Sequence, residues 1–287
     1  MNIRVIPRLD IKGPNLVKGI HLEGLRVLGK PHRFARHYYE AGADELIYID
    51  AVASLYGRNS LLHMVEQTSQ EIFIPLTVGG GLRTIEDIRT VLQAGADKVA
   101  INTAAINRPD FVREASERFG SSTILVSIEA KMQPDGSYEV YTDNGRVRTG
   151  VNVYRWAEEV ARLGAGEILL TSIDREGTGH GFDLDLVRVV ARSVSIPVIA
   201  CGGAGKVEDV GRVLEEAGAD AVSLASCLHY EYIRSCYSQD ECSTEGNVEF
   251  LQSGKSFTKI QGTTLAEIKQ YLIGRGISCR PCHGSGI

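Results

Sequence analysis

Short apolar runs alternate with segments of helical period along most of the chain. The runs IRVIPRL (3–9), ELIYID (45–50), IPLTV (74–78), KVAI (98–101), TILVSI (123–128), EILLTS (167–172), IPVIA (196–200) and AVSL (221–224) have the aliphatic, β-branched character of buried strands. Between them lie amphipathic stretches such as TIEDIRTVLQAG (84–95) and VEDVGRVLEEAG (207–218), each closed by glycine, a common helix stop. Strands alternating with helices predict an α/β fold, a parallel (β/α)8 TIM barrel rather than a sandwich.

The pattern also repeats itself. IPLTVGGGLRTIEDIRTVLQAGADKVAINTA (74–104) aligns with IPVIACGGAGKVEDVGRVLEEAGADAVSLAS (196–226) at an offset of 122 residues, with one extra residue in the second helix. GADELIYID (42–50) aligns with GAGEILLTS (164–172), and IPRLDIK (6–12) with LVSIEAK (125–131). Residues 1–120 and 121–230 therefore read as two half-barrels within a single domain spanning 1–287, followed by an insertion (231–263) after strand eight and a final helix with its tail (264–287). Any βαβ repeat is somewhat self-similar, but shared Glu-Asp, Gly-Gly and Gly-Ala-Asp elements at matched positions go beyond that.

Composition bounds the function. The chain has 287 residues, 43% hydrophobic and 23% charged, ordinary for a globular protein with one large core. A net charge of −5 gives no basic footprint for nucleic acid. No apolar stretch approaches the ~18 residues of a membrane span, and the N-terminus MNIRVIPRLD enters a strand with no signal-peptide apolar core. The expected location is the cytoplasm, where the six cysteines would stay reduced.

The repeat puts Asp10 and Glu129 at equivalent strand ends, the first and the fifth, facing each other across one barrel mouth. Active sites of such barrels lie at that mouth, so two facing carboxylates are a candidate acid and base. Gly79-Gly80-Gly81 and Cys201-Gly202-Gly203 follow strands three and seven; Asn102-Thr103 and Ala225-Ser226 follow strands four and eight. Glycines there let backbone amides approach an anion at a helix N-terminus. Two matched cradles imply a substrate with a phosphate at each end; the alternative is turn glycines with no ligand.

With these residues in view, the chain resembles the cyclase subunit of imidazole glycerol phosphate synthase, a histidine-biosynthesis barrel. The resemblance rests on LDIKGPNLVKG (9–19), DELIYIDAVAS (44–54), TVGGGLRTIEDI (77–88), GADKVAINTAA (95–105), GAGEILLTSIDREGTGHGFD (164–183) and IPVIACGGAGKVED (196–209). It implies a cytoplasmic lyase that joins ammonia to a linear ribulosyl bisphosphate-type intermediate, giving imidazole glycerol phosphate and an aminoimidazole carboxamide ribotide without a cofactor. It also implies a glutaminase partner on the N-terminal barrel face and passage of ammonia through the barrel.

The resemblance assigns catalysis to Asp10 and position 129. It assigns substrate and phosphate binding to Lys18, Asp50, Gly80, Gly81, Asn102, Thr103, Thr171, Glu176, Gly177, Gly202, Gly203, Ala225 and Ser226, and an ammonia gate to Arg4, Glu45, Lys98 and Glu167. Charges at inward-facing strand starts are costly unless paired; two cations and two anions can close a ring, or else point outward into solvent.

Three departures stand out. The family has Asp at positions 129 and 176, where this chain has Glu. The extra methylene displaces a carboxylate by about 1 Å, enough to cost on the order of 100-fold in rate. The insertion holds Tyr237, Phe250, Leu251, Phe257 and Ile260, which predict an ordered segment covering the site or meeting another subunit. Cys279, Cys282 and His283 spell CxxCH; with no export signal, haem attachment does not fit, and Cys236 and Cys242 pair only irregularly with Cys279 and Cys282 as zinc ligands, so free thiols and no bound metal are expected. These departures raise an alternative to the cyclase, a paralogue that channels ammonia from a glutaminase to amidation of a surface-polysaccharide sugar. A non-catalytic scaffold is the third reading.

Overall fold

The computed structural model describes residues 2–52, 59–236 and 259–282. Twelve strands form one sheet: β1 (Arg4–Lys12), β2 (Asn15–Ile20), β3 (Glu23–Gly29), β4 (Leu46–Asp50), β5 (Leu76–Gly79), β6 (Lys98–Ile101), β7 (Ile124–Met132), β8 (Tyr138–Thr142), β9 (Val147–Asn152), β10 (Glu167–Ser172), β11 (Val198–Cys201) and β12 (Ala221–Leu224). Eight of them, β1, β4, β5, β6, β7, β10, β11 and β12, pair in parallel, and the β7–β10 pairing closes them into a barrel with helices between strands. This is the expected (β/α)8 fold.

Period-two alternation builds two cores from each strand. Val5, Leu9 and Ile11 of β1 face the surrounding helices, while Ile6 joins Ile47, Ala100, Leu125, Leu169, Ile199 and Ala221 inside the barrel. The inward row of β1 is therefore Arg4, Ile6, Arg8, Asp10, an apolar position set among three charged ones.

The repeat is visible in the register. Asp10 lies opposite Ile49 on β4, and Glu129 lies opposite Thr171 on β10. Those partners are themselves related by the 122-residue offset. The remaining four strands, β2, β3, β8 and β9, are two hairpins that the apolar pattern does not announce. β1 and β7 run past the expected ends at positions 9 and 128, to Lys12 and Met132, and each pairs antiparallel with the first strand of its own hairpin. The half-barrels thus match in their excursions as well as in their strands.

The shared motifs have structural work to do. The aspartate of each Gly-Ala-Asp accepts a backbone amide from the start of the preceding strand: Asp44 from Val5 at 2.8 Å, Asp97 from Leu76 at 2.9 Å and Asp220 from Val198 at 2.9 Å. The aspartate of each Glu-Asp caps a helix: Asp87 accepts from Thr84 N at 2.8 Å, and Asp209 from Gly205 N at 2.9 Å. The helix Leu265–Gly274 is capped by Thr264, whose side chain accepts from Glu267 N. Behind it, Ser278 O accepts from Ile3 N at 2.7 Å, which fastens the C-terminal segment beside β1.

Candidate active site

β1 and β7 deliver Asp10 and Glu129 to the C-terminal mouth, 3% and 5% exposed. They are close enough that the charge on Asp10 raises the Glu129 pKa. Their environments differ. Asp10 Oδ1 accepts from Arg8 Nε at 2.8 Å, and Oδ2 lies 3.7 Å from Lys18 Nζ. Burial alone would push Asp10 up, but Arg8 and Lys18 outweigh it and hold the carboxyl below its ordinary value. Glu129 Oε2 accepts from Gly145 N at 2.8 Å and, among the described residues, forms no ion pair. Burial dominates there and pushes its pKa up to about 7. One mouth therefore holds an ionised carboxylate and a carboxyl that can carry a proton near neutrality.

Gly145 reaches Glu129 through the turn TDNG (142–145) between β8 and β9, in which Asp143, Asn144 and Gly145 all have positive φ, 54°, 59° and 75°. Asp, Asn and Gly are the residues that tolerate this backbone. The first hairpin brings Lys18, 3% exposed, against Glu176 from the loop after β10. Leu22 from the same hairpin packs with Tyr141 and Ile173, so both hairpins meet above the site.

The residues of the first expected cradle come together. Asp50, Gly80, Gly81, Asn102 and Thr103 line a cavity of about 260 Å³ that also reaches Glu129 and Asn144. The Asn102 Oδ1 is buried there without a hydrogen-bond partner among the described residues. Its counterpart gathers Glu176, Gly177, Gly202, Gly203, Ala225 and Ser226 around a smaller space of about 20 Å³. The glycines are demanded by neighbouring backbone as well: a Cβ on Gly80 would sit 2.6 Å from Asp50 O, and one on Gly203 2.2 Å from Gly181 O. Thr171 is fully buried, its hydroxyl accepting from Arg8 Nη1 at 3.1 Å.

At the opposite end of the barrel the four charged strand starts close a ring. Arg4 Nη1 lies 2.7 Å from both Glu45 and Glu167, and Lys98 Nζ lies 3.1 Å and 3.2 Å from the same two. Burial opposes the Arg4 charge, but Glu45 and Glu167 more than restore it. The outward-pointing alternative is thereby set aside.

A family described as histidine biosynthesis protein matches residues 4–234. The imidazole glycerol phosphate synthase subunit HisF of Legionella pneumophila is 59% identical over 208 residues, covering 72% of this chain and 98% of that protein. The chain belongs to the histidine biosynthesis family. The same match favours the cyclase reading over amidation of a sugar. The family match stops at residue 234, a few residues into the insertion that begins at 231.

Of that insertion, Tyr237, Phe250, Leu251, Phe257 and Cys242 lie outside the described residues, as does His283. Its last residues return to the active-site loops: Ile260 is buried, Gln261 N donates to Gly205 O at 2.7 Å, and Thr263 N donates to Cys227 O at 3.1 Å. Among the described residues, Cys279 is a free thiol, no set of three or more His, Cys, Asp or Glu could hold a metal, and no helix is long and apolar enough to cross a membrane.

Sequence reasoning missed Arg8 and the Gly145 amide. Arg8 sits inside the first predicted strand, and its place between Arg4 and Asp10 on one inward row was the available signal. TDNG was a hairpin-turn signal flanked by YEVYT and RVRTG.

Proposed function

We propose that this chain is the cyclase subunit of imidazole glycerol phosphate synthase, a lyase of histidine biosynthesis. The observation that carries the reading is the unequal carboxyl pair at the mouth, Asp10 ionised and Glu129 able to hold a proton, beside two glycine-lined loop cradles at equivalent places in the repeat. The substrate is a linear ribulosyl bisphosphate-type intermediate, its phosphates held by the loops at Gly80–Gly81 and Asn102–Thr103, and at Gly202–Gly203 and Ala225–Ser226. Lys18, Asp50, Glu176 and Gly177 line the span between. Asp10 and Glu129 move the protons that ring closure and release of the carboxamide ribotide require.

Ammonia comes from a glutaminase seated on the N-terminal barrel face and enters through the ring of Arg4, Glu45, Lys98 and Glu167. The apolar layer above that ring favours neutral ammonia over ammonium, which would have to shed its water. The chemistry needs no cofactor and takes place in the cytoplasm.

The test is turnover of the linear ribulosyl substrate by purified protein with ammonium salt at alkaline pH. Loss of substrate with appearance of both products is expected. Folded protein that leaves the substrate intact would overturn the reading.

A further inference from the structure

The repeat relates Asp10 to Glu129, yet their neighbours two residues earlier differ. In the alignment of IPRLDIK (6–12) with LVSIEAK (125–131), Arg8 falls on Ser127. The structure keeps that equivalence: Arg8 is opposite Ile47 on β4, and Ser127 opposite Leu169 on β10. One half-barrel thus places a guanidinium beneath its carboxylate, and the other places a hydroxyl.

Arg8 is 1% exposed, among the largest fully buried side chains of the protein. Its Nε donates to Asp10 Oδ1 at 2.8 Å, while Nη1 reaches across the barrel to Thr171 Oγ1 at 3.1 Å and Cys201 Sγ at 3.6 Å. Its carbonyl is held too, accepting from His229 Nε2 at 3.0 Å, with the His229 Nδ1 in turn accepting from the Tyr38 hydroxyl at 2.7 Å. A guanidinium removed from water is stable only against a well-placed anion. Here that anion is one of the two candidate catalytic groups.

We propose that Arg8 is a positioning residue that divides the labour of the two carboxyls, fixing Asp10 as the ionised base and leaving Glu129 to carry the transferable proton. The chemical part of this inference rests on the cyclase reading; the Arg8–Asp10 coupling does not. In one turnover Asp10 takes a proton from the incoming nitrogen as its new C–N bond closes the ring, and Glu129 gives one to the carboxamide ribotide nitrogen as the C–N bond that held it breaks. Water then returns a proton from Asp10 to Glu129, so the protein ends as it began.

The other charged or titratable groups around the pair leave this division intact. Lys18 approaches Asp10 from the first hairpin, but is itself engaged by Glu176 from the loop after β10. His229, on the helix after β12, is neutral, its pKa lowered to about 3 by burial and by Lys18. Burial pushes the Cys201 thiol on β11 up, so it carries no charge at neutral pH. Arg8 and the Gly145 amide lower the Glu129 pKa, but burial outweighs them, and Asp10 and Asp143 act in the same sense as burial, favouring the protonated form.

The experiment compares Arg8→Met and Arg8→Lys with the unaltered protein. It follows kcat/KM from acid to neutrality, corrected for the free ammonia present at each pH, and the Asp10 carboxyl by carbon-13 NMR titration over the same range, assigned with Asp10→Asn. In Arg8→Met the Asp10 midpoint and the acidic limb of kcat/KM should rise together by at least about one pH unit, and Arg8→Lys should return most of that shift. An unmoved Asp10 midpoint in Arg8→Met would show that Arg8 only fills space, and would overturn the proposal. Should Arg8→Met fail to fold, Arg8→Gln keeps a donor without the charge and is read by the same criteria. If the unaltered protein shows no turnover, the cyclase reading fails by itself, and the NMR titration still decides the coupling.

Discussion

Lys18 and Glu176 form a buried ion pair that ties the hairpin after the first barrel strand to the loop after the sixth. Burial disfavours the Lys18 charge, but Glu176 and Asp10 more than compensate and raise its pKa. Lys18→Met leaves Glu176 without its cation and weakens the compensation of Asp10, so a loss of about 3 kcal/mol is expected. Adding Glu176→Gln to that variant should recover most of it. Urea unfolding of the single and double variants measures both; equal stability of all three proteins would mean that the pair contributes nothing net.

Removal of either candidate catalytic carboxyl should be severe. Asp10→Asn and Glu129→Gln are each expected to lower kcat by about 100-fold or more, the usual scale for general acid–base groups. Glu129→Asp keeps the acid but withdraws it from Gly145 N by on the order of 1 Å, and a fall of about 10- to 100-fold is expected. A rise in rate with aspartate would mean that glutamate detunes the site. Full activity in both amide variants would remove the pair from the mechanism.

Glu129 also leaves a mark on stability. Its folded pKa is raised from 4.5 to about 7, so between those values the native state binds the proton that the unfolded chain releases. Stability from this group is whole below the lower value and falls as pH rises through the window, by about 3 kcal/mol in total. Glu129→Gln stays neutral and should therefore gain up to about 3 kcal/mol over the unaltered protein above neutrality, and nothing in mild acid. Asp10 works in the opposite sense: its contribution is present above the unfolded pKa and is lost as pH falls through the lowered folded value. Denaturant melts of Glu129→Gln at several pH values check the sign; a constant difference across pH would contradict it.

The charged ring at the other end can be opened selectively. Lys98 bridges Glu45 and Glu167, so Lys98→Met leaves two carboxylates sharing Arg4 alone. A destabilisation of about 2 kcal/mol is expected, less than for a fully buried pair because these side chains retain some access to water. The ratio of glutamine-driven to ammonium-driven turnover, measured with a glutaminase present, should change as well. An unaltered ratio would separate the ring from ammonia transfer.

The barrel was legible because its strands are buried on both faces and read as continuous apolar runs, and because the two halves spell the same motifs. The hairpins were not. β2 (NLVKGI) and β3 (EGLRVLG) carry polar, half-exposed positions and lack the continuous apolar run of a barrel strand. Asp10, Glu129 and the ring residues were found by position and family likeness. The unequal states of the two carboxyls were not foreseen, because they depend on how Arg8 turns within the barrel and where Gly145 points, which one-dimensional spacing does not specify.

Around the barrel the strand-start ring runs Arg4, Glu45, Lys98, Glu167, with signs alternating at every step. Such an arrangement is an electrostatic quadrupole. It has no net monopole, and its field falls off much faster with distance than that of a single charge. A solute approaching along the axis is neither drawn in nor turned away from afar by these four groups. It meets their polarity only on contact, where size and hydrogen-bonding capacity count for more than charge.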